Sequence, residues 1–261
     1  MNSEVFDVIK SFESCTLCPR KCKANRLAKE MGACHADAQM RAARAALHFG
    51  EEPCISGQEG SGAVFFSGCA LGCVFCQNTD ISRGQEGEVM SIDRLAQICL
   101  NLQAQGANNI NLVTAGHYVP AVAESLRRAK ARGLTIPVVY NSSGYETPHT
   151  LQLLEGLVDI YLPDMKYMDT QLAKQYSHAE DYPDVAKEAL AEMVRQCPVC
   201  EFDERGIMKK GVIVRHLLLP GHVRNSKEVL AYLYETYRDQ IYISIMSQYT
   251  PVQQIKKYPE L

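Results

Sequence analysis

The stretch FFSGCALGCVFCQN, residues 65–78, sets three cysteines, Cys69, Cys73 and Cys76, in a short loop behind an apolar run. Their gaps are three residues and then two. A structural zinc site takes four ligands, usually as two pairs from two knuckles. A three-thiolate loop does not fit that pattern. It fits an iron–sulfur cubane in which each cysteine holds one iron and a fourth iron has no protein ligand, free to take a substrate or cofactor. Two plainer readings stand beside it: reduced cysteines packed as small hydrophobes, or a zinc ion completed from elsewhere. Gly68 and Gly72 beside the cysteines, and Gln77 and Asn78 after them, read as a loop that presents ligands.

Outward from this loop the chain alternates. AVFFS (63–67) reads as a buried strand and SIDRLAQICLNLQAQG (91–106) as a helix, with Ser91 or Asp93 at its start and Gly106 as its stop. Strands follow at 109–114, 136–141, 158–166, 211–220 and 241–246. Helical patterns separate them at 120–133, 147–156, 169–178, 183–196 and 226–239. Pro148 marks one helix start. Six strands alternating with helices give a parallel sheet with right-handed crossovers. The fold class expected is therefore α/β, a partial (β/α)6 barrel of parallel strands over 63–261, with a cysteine-rich N-terminal extension over 1–62 that shows no clear strand. A doubly wound open sheet is the second architecture this pattern allows. Either one binds ligands at the C-terminal ends of its strands, and the three-cysteine loop lies at that end of the first.

The 261 residues suit one large domain, and 46% hydrophobic content is ample for a core. A net charge of −3 and a pI near 6.2 give no basic footprint, so no nucleic-acid partner is expected. The N-terminus, MNSEVFDVIKSFESC, lacks a basic segment followed by an apolar one. No apolar run approaches the roughly 20 residues that span a membrane. No membrane association and a cytoplasmic location are expected. Eleven cysteines in that setting argue for metal or redox chemistry rather than disulfides. Cys99 shares a helical pattern with Leu95, Ile98 and Leu102 and reads as core.

The residues CALGCVFC match the signature of the radical S-adenosylmethionine (SAM) superfamily, with Phe75 before the last cysteine. The longer stretches CTLCPRKCKANR, ARAALHFGEEPCISG, YLPDMKY and VRHLLLPG resemble an uncharacterised branch of proteins related to the pyruvate formate-lyase activating enzyme. The resemblance runs over nearly the whole chain. It implies a six-unit partial barrel and a 4Fe-4S cluster on Cys69, Cys73 and Cys76 whose open iron chelates SAM. It also implies reductive cleavage of SAM to methionine and a 5′-deoxyadenosyl radical, and hydrogen abstraction by that radical. Reduced flavodoxin or ferredoxin is the electron donor it implies, with a protein among the candidate substrates.

The resemblance also implies SAM contacts at the strand ends. At 114–117 similar proteins carry a Gly-Gly-Glu motif for the SAM amine; here Thr114, Ala115, Gly116 and His117 stand, and the glutamate is absent. Gly116 suits close backbone approach. Asn141 and Ser142 offer polar groups and are equally ordinary turn residues. Asp164 and Lys166 match an Asp-x-Lys that contacts SAM, and two residues apart they point to one side of an extended chain. Arg215 and Leu217 correspond to residues that border SAM. A charge within an apolar strand needs a partner, and an ion pair with Asp164 is the structural alternative for Arg215.

Cys15, Cys18, Cys22 and Cys34 form a second, four-cysteine set that suits either zinc or a second iron–sulfur cluster. Four ligands close the site, which fits a structural or electron-relay role. Cys197 and Cys200 form a knuckle without a partner pair. Within the enzyme reading, an activase acting on a backbone glycine would carry an Asp-Gly-x-Gly-x-Arg stretch before the first strand; SGQEGSGAV (56–64) has none. The alternative from another class is a non-catalytic iron–sulfur electron-transfer protein.

Overall fold

The structure, a computed structural model, describes residues 10–261; the export-signal reading rests largely on the first nine, which lie outside them. Six strands run parallel: β2 (Ser61–Phe66), β4 (Ile110–Val113), β5 (Val138–Ser142), β6 (Ile160–Pro163), β8 (Met208–Leu217) and β9 (Tyr242–Met246). Their order in the sheet is their order in the chain. A doubly wound sheet reverses its strand order at a switch point. This one never does, so the partial barrel stands and the open-sheet alternative falls.

Three strands escaped the sequence reading. β1 (Arg41–His48) pairs antiparallel with β2, and β3 (Glu88–Val89) pairs antiparallel with β1. β7 (Glu201–Phe202) pairs antiparallel with the start of β8. The segment RAARAALH in β1 is rich in Ala and Arg, which favour helix in isolation. Pairing with β2 overrides that preference. The expectation of no strand in the N-terminal region is corrected accordingly: its last strand is part of the main sheet.

The crossover helices α1 (Ile92–Ala104), α2 (Val119–Ala131), α3 (Pro148–Gln152), α4 (Thr170–Ser177), α5 (Tyr182–Gln196) and α6 (Val223–Tyr237) link successive parallel strands. The side chain of Ser91 caps α1 by accepting from the Arg94 N–H, and Thr147 caps α3 through the Thr150 N–H. Cys99 is fully buried among Leu95 and Leu102, as its spacing implied. No helix among the described residues is long and apolar enough to cross a membrane.

Strand alternation sorts side chains into two layers. On one face, Val139, Ile160, Leu162 and Ile213 form a small apolar cluster with Ile55 and Met208. Two residues further along the same faces come Asn141, Asp164 and Arg215. The face thus turns from apolar to charged as the strands approach their C-terminal ends.

Candidate SAM and iron–sulfur site

The three-cysteine loop leaves the C-terminal end of β2. Its root is fixed from several sides. The Ser67 carbonyl accepts from His117 Nε2 at 2.7 Å, and the Gly68 N–H donates to the Ile81 carbonyl at 2.8 Å. Gly68 has φ +94°, and a Cβ there would lie 2.6 Å from the Cys34 carbonyl oxygen. The Cys69 N–H donates to that same carbonyl at 3.1 Å. Further along, the Val74 N–H donates to Tyr176 and the Ser177 hydroxyl to Cys73 Sγ at 3.0 Å. The loop is therefore held by α4 as well as by its own strand.

Burial pushes the Cys73 thiol up to about 12 and raises Cys69 too. The charge of Lys166 pulls both the other way. Each of these thiols also feels that of Cys76. Three cysteines with no fourth, on one loop, beside a buried cation, fit a cluster that keeps one iron free. Among the described residues no three His, Cys, Asp or Glu side chains are drawn together as tightly as a single metal ion requires.

Facing the loop is a largely buried charge network from four elements. Asp164 Oδ2 accepts from Lys166 Nζ at 2.6 Å, and its Oδ1 accepts from Arg215 Nε at 3.0 Å. Arg215 also reaches Asn141 Oδ1 at 2.7 Å and Glu51 Oε2 at 3.4 Å. The ion pair named as the structural alternative for Arg215 is thus present, and Glu51, from the turn after β1, is a member that the sequence did not suggest. Burial disfavours charge on Asp164, but Arg215 and Lys166 outweigh it and hold its carboxyl below the usual range. Burial likewise opposes charge on Lys166, yet Asp164 and then Cys73 raise it above the usual ammonium value. Glu51 is raised by burial despite Arg215.

Gly116 opens a short turn after β4, just past Thr114, which holds the left-handed φ of +60°. Such a conformation strains a β-branched residue. A Cβ on Gly116 would lie 3.2 Å from Tyr140 Oη and 3.3 Å from Glu146 Oε1. Tyr140 Oη is buried without a hydrogen-bond partner. Ser142, one residue past Asn141, points to the opposite face and donates to Glu146 Oε2 at 3.1 Å. Burial lifts the Glu146 carboxyl to about 8, against the Ser142 bond. This glutamate lies far from the motif position in sequence yet beside Gly116 in space. Glu146, Gly116, Thr114, Ser143 and Cys69 line one small cavity of about 10 Å³. Leu217 lies two residues beyond Arg215 on the same face, half-buried. His117 is buried, and its pKa is pushed down to about 3 by burial, so its ring serves as a neutral strut for the loop root.

The sequence model of the Radical SAM superfamily matches residues 63–233. The chain belongs to the radical SAM superfamily. Members of this superfamily carry out SAM-cleaving radical chemistry with a 4Fe-4S cluster, and the chain is an enzyme of that class. It is similar to an uncharacterized protein of Methanocaldococcus jannaschii, 29% identical over 257 residues that cover 96% of this chain and 70% of that one. Two solved structures resemble it at 12% identity. Methylornithine synthase (PylB) has a TM-score of 0.47, covering 70% of this chain and 52% of its own. HydG, a maturase of the FeFe-hydrogenase, has a TM-score of 0.48, covering 74% and 44%. The chain spans about half the length of these two structures.

The remaining cysteines lie elsewhere. Cys197 Sγ donates to the Asp159 carbonyl at 3.4 Å, and Cys200 Sγ to the Gln240 carbonyl at 3.5 Å. Both sit at the N-terminal ends of β6, β8 and β9, the opposite end from the three-cysteine loop.

Proposed function

We propose that this radical SAM enzyme abstracts hydrogen from a substrate, and that it is an oxidoreductase of the branch related to the pyruvate formate-lyase activating enzyme. The observation that carries the reading is Lys166, salt-bridged to Asp164 and close enough to Cys69 and Cys73 to perturb both thiols. The cluster, when bound to Cys69, Cys73 and Cys76, supplies the electron that cleaves SAM and yields the adenosyl radical. The chain's own residues orient and neutralise. Lys166 and Arg215 offer cations to the methionyl carboxylate, and Asp164 aligns both. Glu146, beside Gly116, supplies the counter-charge for the SAM amine that residues 114–117 lack. Asn141 and Leu217 complete the border, and Ser142 acts from the other face by holding Glu146. Reduced flavodoxin or ferredoxin is the donor in this reading, the cytoplasm the location, and a glycyl-radical enzyme one candidate substrate.

The test is anaerobic reconstitution with iron and sulfide, reduction, addition of SAM and assay of 5′-deoxyadenosine, with Cys73→Ala as control. Product from the wild type alone supports the reading. A reducible cluster whose EPR signal ignores SAM, with no product, sinks it in favour of an electron-transfer protein.

A further inference from the structure

The four N-terminal cysteines do not sit apart from the catalytic end of the barrel. Arg20 Nε donates to the Ala70 carbonyl at 2.9 Å, and its Nη2 to Ser177 at 3.1 Å. Arg26, fully buried, donates to the His117 carbonyl at 2.7 Å. Thr150 Oγ1 donates to the Leu17 carbonyl at 2.6 Å. These bonds fasten residues 17–26 to the loops after β2 and β4, to α3 and to the end of α4. Leu17 and Cys18 line the same cavity as Cys69 and Glu146.

The four thiols share one neighbourhood. The sulfurs of Cys22 and Cys34 each lie 3.4 Å from where a Cβ on Gly32 would stand, so the two thiols flank one small residue. The backbone between Cys15 and Cys22 folds into a knuckle, the Lys21 N–H donating to the Cys18 carbonyl at 3.0 Å and the Lys23 N–H to the Cys15 carbonyl at 2.9 Å. Arg26 Nη1 stands 3.6 Å from Cys15 Sγ, a buried cation against a thiol set that becomes anionic on metal binding. Cys15 and Cys34 are buried, whereas Cys22 is exposed. The Cys34 carbonyl accepts the Cys69 N–H at 3.1 Å, which joins the two cysteine sets by one hydrogen bond between two of their ligating residues.

We propose that Cys15, Cys18, Cys22 and Cys34 hold a second iron–sulfur cluster that relays electrons to the Cys69–Cys73–Cys76 cluster through the Cys34–Cys69 hydrogen bond. The inference rests on the reading of the first loop as a cluster site. Four ligands leave the second cluster no open iron, so it carries charge and binds no substrate. One electron enters at the exposed Cys22 side from a low-potential one-electron donor protein, which is oxidised. The second cluster is reduced and reoxidised, and the first is reduced. No bond breaks in the relay.

The test counts metal and then follows the electron. Iron, sulfide and zinc are measured after anaerobic reconstitution of three proteins: wild type, a Cys15→Ala/Cys22→Ala variant, and a Cys69→Ala/Cys73→Ala/Cys76→Ala variant. Wild type should hold about eight irons and each variant about half of that. The second variant isolates the new site, because iron and an EPR signal retained there cannot belong to the first loop. About four irons in the wild type, all lost in that variant, overturn the second cluster and leave the first intact. Stoichiometric zinc in that variant overturns it too. For the relay, reduced flavodoxin is the probe and freeze-quench EPR the readout, with Cys22→Ala at the exposed position. Loss of flavodoxin-driven reduction of the first cluster, with dithionite-driven reduction retained, is the expected result. Equal flavodoxin rates in variant and wild type overturn the relay.

Discussion

Asp164 is shared between two cations: its Oδ1 takes Arg215 Nε at 3.0 Å while its Oδ2 takes Lys166 Nζ at 2.6 Å. One carboxylate thereby fixes two positive charges that arrive on different strands. Arg215 in turn bridges Asp164 and Glu51. Arg215→Ala leaves two mostly buried carboxylates short of their main cation and should cost about 3–5 kcal/mol of stability. Urea denaturation at neutral pH checks it; an unchanged midpoint would show the network to be of no structural weight.

Lys166 bears more on ligand binding. Its ammonium is the cation nearest the three-cysteine loop in the network. Lys166→Met should weaken SAM binding by about 1.5–3 kcal/mol, roughly ten- to a hundredfold in Kd. Titration of the reduced cluster's EPR signal with SAM measures this. Iron content should stay at the wild-type level, which separates the effect from loss of the cluster.

Glu146 gives a pH dependence. Its carboxyl is lifted from an ordinary 4.5 to about 8 by burial. Only the ionised form can pair with the SAM amine, so SAM affinity should rise as pH increases through about 8. Folding runs the opposite way. A group that binds its proton more tightly when folded has its full stabilising effect below its unfolded pKa and loses it as pH climbs through the folded value. Stability should therefore fall between about pH 4.5 and 8. Glu146→Gln should remove both trends, lowering SAM affinity at pH 8.5 while raising the melting temperature there. A variant that matches the wild type in both measurements refutes the assignment.

Gly68 is the most constrained turn in the cysteine loop. Gly68→Ala adds a Cβ at φ +94°, 2.6 Å from the Cys34 carbonyl oxygen. Backbone strain alone should cost about 1–3 kcal/mol. The displaced carbonyl should also release the Cys69 N–H, so iron incorporation should fall. Thermal unfolding and iron analysis together test this.

The parallel core was legible in the sequence because each of its strands is a short apolar run closed by a turn. CALGCVFC was legible because its spacing is local. β1 was not, since RAARAALH reads as helix until β2 stands beside it. Glu51 and Glu146 were hidden for a related reason. Nothing in EEPCISG or SSGYETP marks a site carboxylate, and only the barrel brings one to Arg215 and the other to Gly116. His117, which stands in the stretch where similar proteins carry the glutamate, donates instead to the Ser67 carbonyl.

Among the described residues β9 pairs only with β8, and Tyr242 and Ile245 lie exposed along it. The parallel strands inside the sheet have both edges filled, β2 by the unexpected β1, while β1 is itself covered by β3 only at Arg41 and Ala42. An unpaired edge offers its amide groups to any extended chain that reaches it. Of these open edges β9 carries the exposed Tyr242 and Ile245, so self-association at high concentration should favour it, and Ile245→Lys is the natural first change for keeping concentrated samples clear.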